Sequence, residues 1–237
     1  MTTDEIKQAA QELETKSAED ILAWAAAQFP GRLTFATSLG IEDCVVTDMI
    51  ARRRLPLDLF TLDTGLLFPE TYTLWADLEE RYGVRIRRVS PQQSVDEQAA
   101  TEGPALWTRE PDRCCDLRKM QPLRGMLATY DAWVTAIRRD QTPERANAPV
   151  VGWDARFGLV KINPLVRWKF DEVKAYAREH NVPYNPLHDE NYPSIGCMPC
   201  TSPVMPGEDP RSGRWRGTEK TECGLHWVKA KTEAPSA

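Results

Sequence analysis

No apolar run in this 237-residue chain approaches the ~20 residues that a helix needs to cross a bilayer, so a membrane-spanning protein is not expected. The opening stretch, residues 1–16, is polar and carries two acids among its first five residues. It lacks the basic and then apolar regions of a secretory leader. A positive balance is missing too. With a net charge of −5 and a pI near 5.4, nucleic acid is not the expected partner. No dinucleotide fingerprint is present, because Gly40 and Gly65 stand alone rather than in a G-x-G-x-x-G run. There is no internal repeat and no low-complexity tract. These absences point to the cytoplasm, a reducing compartment in which six cysteines do not form a disulfide framework. Clustered cysteines there indicate metal binding or catalysis.

What is present suits one α/β domain covering residues 1–237. Hydrophobic residues are 41 %, enough for a sizeable core, and charged residues are 27 %, which argues against global disorder. Residues 1–30 read as two short amphipathic helices, the second capped by Ser17 and ended at Pro30-Gly31. From 31 to 182 the chain alternates: strand 33–37, helix from about 43 to 54, strand 57–62, helix 69–82, strand 84–89. Residues 113–129 should be helical, 132–137 a fourth strand, 138–145 a polar loop, 159–162 a weak strand and 171–179 a helix. Alternation of this kind predicts a parallel sheet flanked by helices. Ligands bind at the carboxyl ends of such strands, where Ser38–Asp43 and Asp63–Gly65 fall. Residues 183–217 are rich in Pro, Gly, Arg and Ser without periodicity and read as ordered by ligands or mobile; the whole of 183–237 reads as a cluster-binding segment and a mobile, catalytic C-terminal tail. Arginines gather at 52–54, at 85, 87 and 88, and at 211, 214 and 216. Most such runs are solvated faces, but an anionic small molecule would need a few of them.

The strongest chemical signal is Cys114-Cys115 together with Cys197-Met198-Pro199-Cys200. A C-x-x-C turn supplies two soft thiolates on one side of a metal site. Side chains of adjacent helical residues diverge by about 100°, so both members of the first pair reach one centre only if the helix is locally distorted. A four-iron cluster tolerates that divergence better than zinc; zinc and plain buried cysteines are the alternatives. Lys119, four residues after Cys115, would lie one helical turn away on the same face, where its charge favours thiolates. Cys223 is the odd cysteine in a polar terminal stretch, with His226 three residues on and Arg211, Arg214 and Arg216 upstream. Neighbouring cations of that kind lower a thiol's pKa and make it a nucleophile. Cys44, beside Val45 and Val46, reads as core.

Six stretches now resemble one family: Ser38-Leu39-Gly40-Ile41-Glu42-Asp43, Leu62-Asp63-Thr64-Gly65 through Tyr72, Cys114-Cys115-Asp116-Leu117-Arg118-Lys119, Arg138-Arg139-Asp140-Gln141-Thr142-Pro143, Ile195 through Thr201, and Glu222-Cys223-Gly224-Leu225-His226. They are similar to those of assimilatory adenylyl-sulfate (APS) reductases, relatives of the PAPS reductases. The resemblance implies an adenine-nucleotide α-hydrolase-like fold with a modified PP-loop at Ser38, Gly40 and Asp43. Leu62, Asp63 and Thr64 would line the substrate site, with Leu62 and its neighbours holding adenine through the backbone. Arg145, Arg211 and Arg214 would bind the phosphosulfate oxyanions, Lys119 would sit between cluster and substrate, and His226 would join the substrate side. Cys114, Cys115, Cys197 and Cys200 would hold a [4Fe-4S] cluster. Cys223 would take the sulfo group as an S-sulfocysteine, and thioredoxin (or glutaredoxin) would release sulfite, with AMP as the other product. A homo-oligomer is allowed. Ala136 departs from the pattern, standing where relatives often carry glycine. Rival expectations are a PAPS-preferring reductase, an iron–sulfur tRNA-thiolating enzyme of the same fold, and a non-enzymatic iron–sulfur nucleotide or redox sensor.

Overall fold

A computed structural model describes residues 1–218 together with Lys220, Glu222 and Gly224. Cys223 and His226, with most of the expected mobile tail, lie outside the described residues. Two helices open the chain, α1 (Thr3–Leu13) and α2 (Ala18–Gln28). Thr2 and Glu5 form a capping box for α1, and the Ser17 hydroxyl accepts from the Asp20 amide at the start of α2; each satisfies amide donors that a helix start leaves over.

Strand β1 (Leu33–Thr37) leads to α3 (Ile41–Arg52), β2 (Asp58–Leu62) to α4 (Pro69–Tyr82), and then to β3 (Ile86–Val89). A region of short helices follows: α5 (Val95–Glu102), α6 (Leu106–Arg109), α7 (Pro111–Cys115), a π-helical turn over Asp116–Met120, and α8 (Gln121–Leu127). The chain then returns to the sheet as β4 (Ala132–Val134), β5 (Val151–Asp154) and β6 (Leu159–Ile162), and α9 (Phe170–Glu179) completes the regular part. The sheet order is β3-β2-β1-β4-β6-β5, parallel throughout except for the antiparallel β5–β6 pair. The order reverses between β1 and β4, which is where an open α/β sheet forms its ligand crevice.

Both faces of the sheet are buried, as a sheet crossed by helices requires. Phe35, Phe60, Trp133, Val134 and Ile162 are almost wholly inaccessible. Ile21 and Leu22 from α2 and Cys44, Val45 and Val46 from α3 pack into the main cluster, and α8 contributes Leu123 and Leu127 to a second one around Trp133. The core expectation for Cys44 matches this burial. At the two sheet edges the solutions differ: β3 presents exposed Arg87 and Arg88, and α1 packs against β5.

The expected strand 132–137 ends at Val134, and the helix expected from about 43 begins at Ile41. Beyond Pro183 the chain is irregular, as its composition predicts, but its own hydrogen bonds order it up to residue 218. Short 3-10 turns span Pro186–Glu190 and Met198–Cys200, and an antiparallel bridge joins Thr201 to Arg214. The Met198 amide donates to the Leu66 carbonyl (2.7 Å), fastening this segment to the loop after β2.

Candidate nucleotide and cysteine site

The loop between β1 and α3 is held in a costly conformation. Leu39, a buried residue, has φ +60°, in the left-handed region that non-glycine residues rarely adopt. Its amide donates to the Thr37 hydroxyl (3.0 Å). The Asp43 carboxylate, in the first turn of α3, receives the Ser38 amide (2.7 Å) and the Ser38 hydroxyl (2.5 Å). Burial is the largest influence on Asp43 and outweighs these bonds and the nearby Arg145 charge, so its pKa is raised to about 6.

At the carboxyl ends of the strands opens a cavity of about 360 Å³, within the size range of small-molecule sites (about 300–1,000 Å³). Ser38, Gly40, Asp43, Leu62, Thr64, Lys119, Arg145, Arg211 and Arg214 all line it, together with Cys197. The sequence-predicted positions from six separate parts of the chain thus share one wall-to-wall space. Asp63 does not line it. Its carboxylate instead accepts from the Gly65 amide (2.9 Å) and the Tyr72 hydroxyl (2.7 Å) and pairs with Arg88 (3.4 Å), so it shapes the turn after β2. Ala136 lines the cavity, and its methyl group narrows a position where glycine would leave room.

Side chains to which the sequence reading assigned no part organise the arginines. Arg138 is buried, donates through Nε to Asp140 (2.9 Å) and pairs with Glu42. The Gln141 side chain donates to Glu42 (3.0 Å) and accepts from Arg145 (2.5 Å). The Arg138–Pro143 and Ser38–Asp43 stretches had been singled out as motifs, but only contact between them reveals the network. Arg145 and Arg211 both contact one oxygen of Glu222, at 2.9 and 3.2 Å. Arg214 stacks on Trp215, 4.6 Å from the ring centre, and donates to Ser194 (3.2 Å). The Nε atoms of Arg145 and Arg214 are buried with no hydrogen-bond partner among the described residues.

A second, small cavity adjoins the first. It is lined by Cys114, Cys115, Cys197 and Cys200 with Leu66, Trp107, Arg118, Lys119 and Trp215. The two cysteine pairs, with 81 residues between them in sequence, therefore face a common space. Among the described residues, no group of three or more Cys, His, Asp or Glu is placed as a site for a single metal ion. The helix distortion expected near the double cysteine is the π-helical turn that begins one residue after Cys115. Because of that turn, Lys119 does not follow Cys115 by regular helical spacing, yet it lines both cavities. Arg118 anchors the turn, donating through Nε to the Thr64 carbonyl (2.6 Å) and through Nη1 to Gln98 (3.0 Å).

The thiols differ electrostatically. Burial opposes ionisation of Cys197, but Lys119, the Thr64 hydroxyl at 3.3 Å and Arg214 bring its pKa below the ordinary thiol value. Burial, followed by the proximity of Cys197, pushes Cys200 up to about 11. Burial and the neighbouring Cys115 raise Cys114.

Residues 32–203 match the model of the phosphoadenosine phosphosulfate reductase domain. The chain belongs to that family. It is 47 % identical over 222 residues to an adenosine 5'-phosphosulfate reductase of Halalkalibacterium halodurans, covering 93 % of this chain and 96 % of the relative. A Streptomyces coelicolor protein of the same name is 47 % identical over 229 residues, covering 95 % and 96 %. Among solved structures, a phosphoadenylyl-sulfate reductase from Candida auris in complex with phosphate superposes with a TM-score of 0.76 at 33 % identity, covering 86 % of this chain and 98 % of that one. A Candida glabrata FMN adenylyltransferase with ATP, at TM-score 0.58 and 14 % identity over 92 % of this chain and 75 % of that one, shares the fold alone. As a family member the chain is an oxidoreductase acting on sulfur groups, on the α/β scaffold with a modified PP-loop that the sequence led us to expect. Among the described residues no helix is long and apolar enough to cross a membrane.

Proposed function

We propose that this family member reduces adenylyl sulfate to sulfite and AMP in sulfate assimilation, through an S-sulfocysteine on Cys223 that thioredoxin discharges. The single observation that supports this most is the convergence of Arg145, Arg211, Arg214 and Lys119 on one nucleotide-sized cavity, where the guanidinium groups of Arg145 and Arg214 keep a buried Nε–H without a partner among the described residues. Guanidinium forks match tetrahedral oxyanions, and donors left over in a dry site are suited to the charge that grows on phosphosulfate oxygens in the transition state, where one such interaction is worth roughly 3–4 kcal/mol. Two relatives bearing the adenosine 5'-phosphosulfate name cover nearly the whole chain.

In this reading the Cys223 thiolate attacks the sulfur of the sulfuryl group. An S–S bond forms, the S–O bond to the nucleotide breaks, and AMP leaves with the electron pair. A thioredoxin thiolate then attacks the Cys223 sulfur, sulfite departs, and the second thioredoxin thiol resolves the mixed disulfide. The two electrons come from the dithiol, so no flavin or nicotinamide is needed.

Cys114, Cys115, Cys197 and Cys200 would hold a [4Fe-4S] cluster. All four line one small cavity, and four soft thiolates are the donor set that iron–sulfur clusters take. When bound, the cluster would supply local order rather than substrate electrons, and the positive potential near the substrate would come through Lys119. Lys119, in the wall shared by the two cavities, holds its ammonium group where thiolates and substrate anion both feel it.

An anaerobic assay with APS or PAPS and thioredoxin, run beside iron and sulfide analysis, tests the reading. Sulfite and AMP should form from APS in preference to PAPS. Cys223→Ser should still bind AMP but form no sulfite, and mass spectrometry of the wild-type protein given APS alone should find +80 Da (about one SO₃) on Cys223. Normal turnover by Cys223→Ser sinks the nucleophile assignment, and a preference for PAPS replaces the substrate.

A further inference from the structure

The seat to which we assign the substrate's anionic end is taken by the protein itself. Glu222 is almost fully buried, with its side chain 7 % exposed, and one carboxylate oxygen lies within 3.2 Å of both Arg145 and Arg211. The match is incomplete. The other oxygen, Oε1, is buried without a partner among the described residues, and so is Nε of Arg145. A planar carboxylate with two oxygens leaves donors over at a site where a tetrahedral oxyanion, with three, could satisfy more of them. The contacts on either side are of a different kind: Lys220 pairs with Asp112 near the Trp215 ring, and the Gly224 carbonyl accepts from the Arg156 guanidinium. Among the described residues of this stretch, Lys220, Glu222 and Gly224, Glu222 is the one that pairs with the cavity's arginines.

We propose that Glu222 is a resident counter-anion that occupies the Arg145–Arg211 seat when the nucleotide is absent, so that the docked tail and the anionic group of a nucleotide exclude one another there. The inference rests on the nucleotide reading of the cavity. A buried Arg145 and a partly buried Arg211 without an anion would be costly to bring together; Glu222 offsets that cost in the free protein. An arriving phosphate or phosphosulfate would place like charge against the Glu222 carboxylate, and the carboxylate yields because it is the less complete fit. Since Cys223 is the next residue in the chain, binding of the substrate anion would release the nucleophile's anchor, and departure of AMP would restore it.

The test compares the full-length protein with Glu222→Gln, which keeps size and hydrogen bonding and removes the charge. Calorimetric titration with AMP should give a Kd about tenfold lower in the variant, the scale expected when a tethered competitor at millimolar effective concentration is removed, whereas adenosine, lacking the phosphate, should bind both proteins equally. Trypsin cleavage after Lys220 should quicken when AMP is added to the wild type and be fast with or without AMP in the variant. An unchanged or weaker AMP affinity in Glu222→Gln, or equal gains for AMP and adenosine, would overturn the proposal while leaving the nucleotide reading intact. Failure of the wild-type protein to bind either ligand would overturn the nucleotide reading, and this proposal with it.

Discussion

The sheet and the segment after Pro183 are held together by different means. In the sheet, apolar side chains from β1, β2, β4 and β6 interlock with helices on both faces, and Phe35, Phe60, Val134 and Ile162 are fully inaccessible. In the segment 183–218, order comes from side chain–backbone and loop–loop hydrogen bonds. Asn185 accepts from the Leu187 amide, Ser202 donates to the Gly213 carbonyl, Trp215 to that of Cys200 and Met198 to that of Leu66. The first kind of order is cooperative and insensitive to what occupies the site. The second is local and stands directly on the residues that line the two cavities. The difference teaches where mutations should unfold the protein and where they should only disarm it.

The comparison is challenged most strongly in the core. Phe35→Ala should cost about 3–5 kcal/mol in urea unfolding, from lost burial and the cavity left behind. A loss under about 1 kcal/mol would show that the sheet is not the cooperative unit. Asp43 comes next, because there the core carries a cost that belongs to the site. Its native pKa of about 6 exceeds the ordinary value of ~3.9, so between about pH 4 and pH 6 the folded state holds more of this proton than the unfolded state. Stability from this group is therefore complete below about pH 4 and falls as pH rises through about 6, by up to about 2–3 kcal/mol. Asp43→Asn should flatten that part of the stability–pH curve; an unchanged slope would mean that Asp43 titrates normally.

In the irregular segment, an added methyl group at Gly196 would meet the Arg214 guanidinium at 2.2 Å. Gly196→Ala should raise the Kd for AMP about tenfold through a displaced arginine, an effect of roughly 1.4 kcal/mol, with the urea midpoint almost unmoved. A large loss of stability with unchanged binding would reverse the comparison. The smallest effect is expected at the N-terminal helices, which line neither cavity. Ser17→Ala removes a cap bond and should cost about 1 kcal/mol, leaving AMP affinity as it was.

Much of the sheet was legible because β1, β2 and β6 are short apolar runs between turn residues, and α4 shows Pro69 at its start and Gly83, at φ +61°, after its end. β5 was missed: Val151-Gly152-Trp153-Asp154 is four residues long, contains glycine and runs antiparallel at an edge, so neither length nor alternation marks it. α5 was missed although Ser94 and Glu97 spell a capping box, a pattern too common to be read alone. At the site, cysteine spacing suggested that two distant pairs meet, because thiols at such positions have few other uses. The Glu42–Arg138–Gln141–Arg145 network was not legible, since charged residues in a polar loop look the same whether they face water or one another. The part of Asp63 is a similar case: proximity in sequence to Leu62 and Thr64 suggested a substrate contact, and only the positions of Tyr72 and Arg88 reveal that its oxygens are engaged elsewhere.

One feature at the margin of the molecule bears on how it can be handled. Strand β5 has a strand neighbour on one side only, and α1 is packed against it, whereas at the opposite margin β3 carries Arg87 and Arg88 facing water. Open strand margins recruit other chains unless charge or a covering element discourages them. A version of the protein trimmed of its first helix would keep every arginine and cysteine of the two cavities, yet it should self-associate in solution through its newly bared flank.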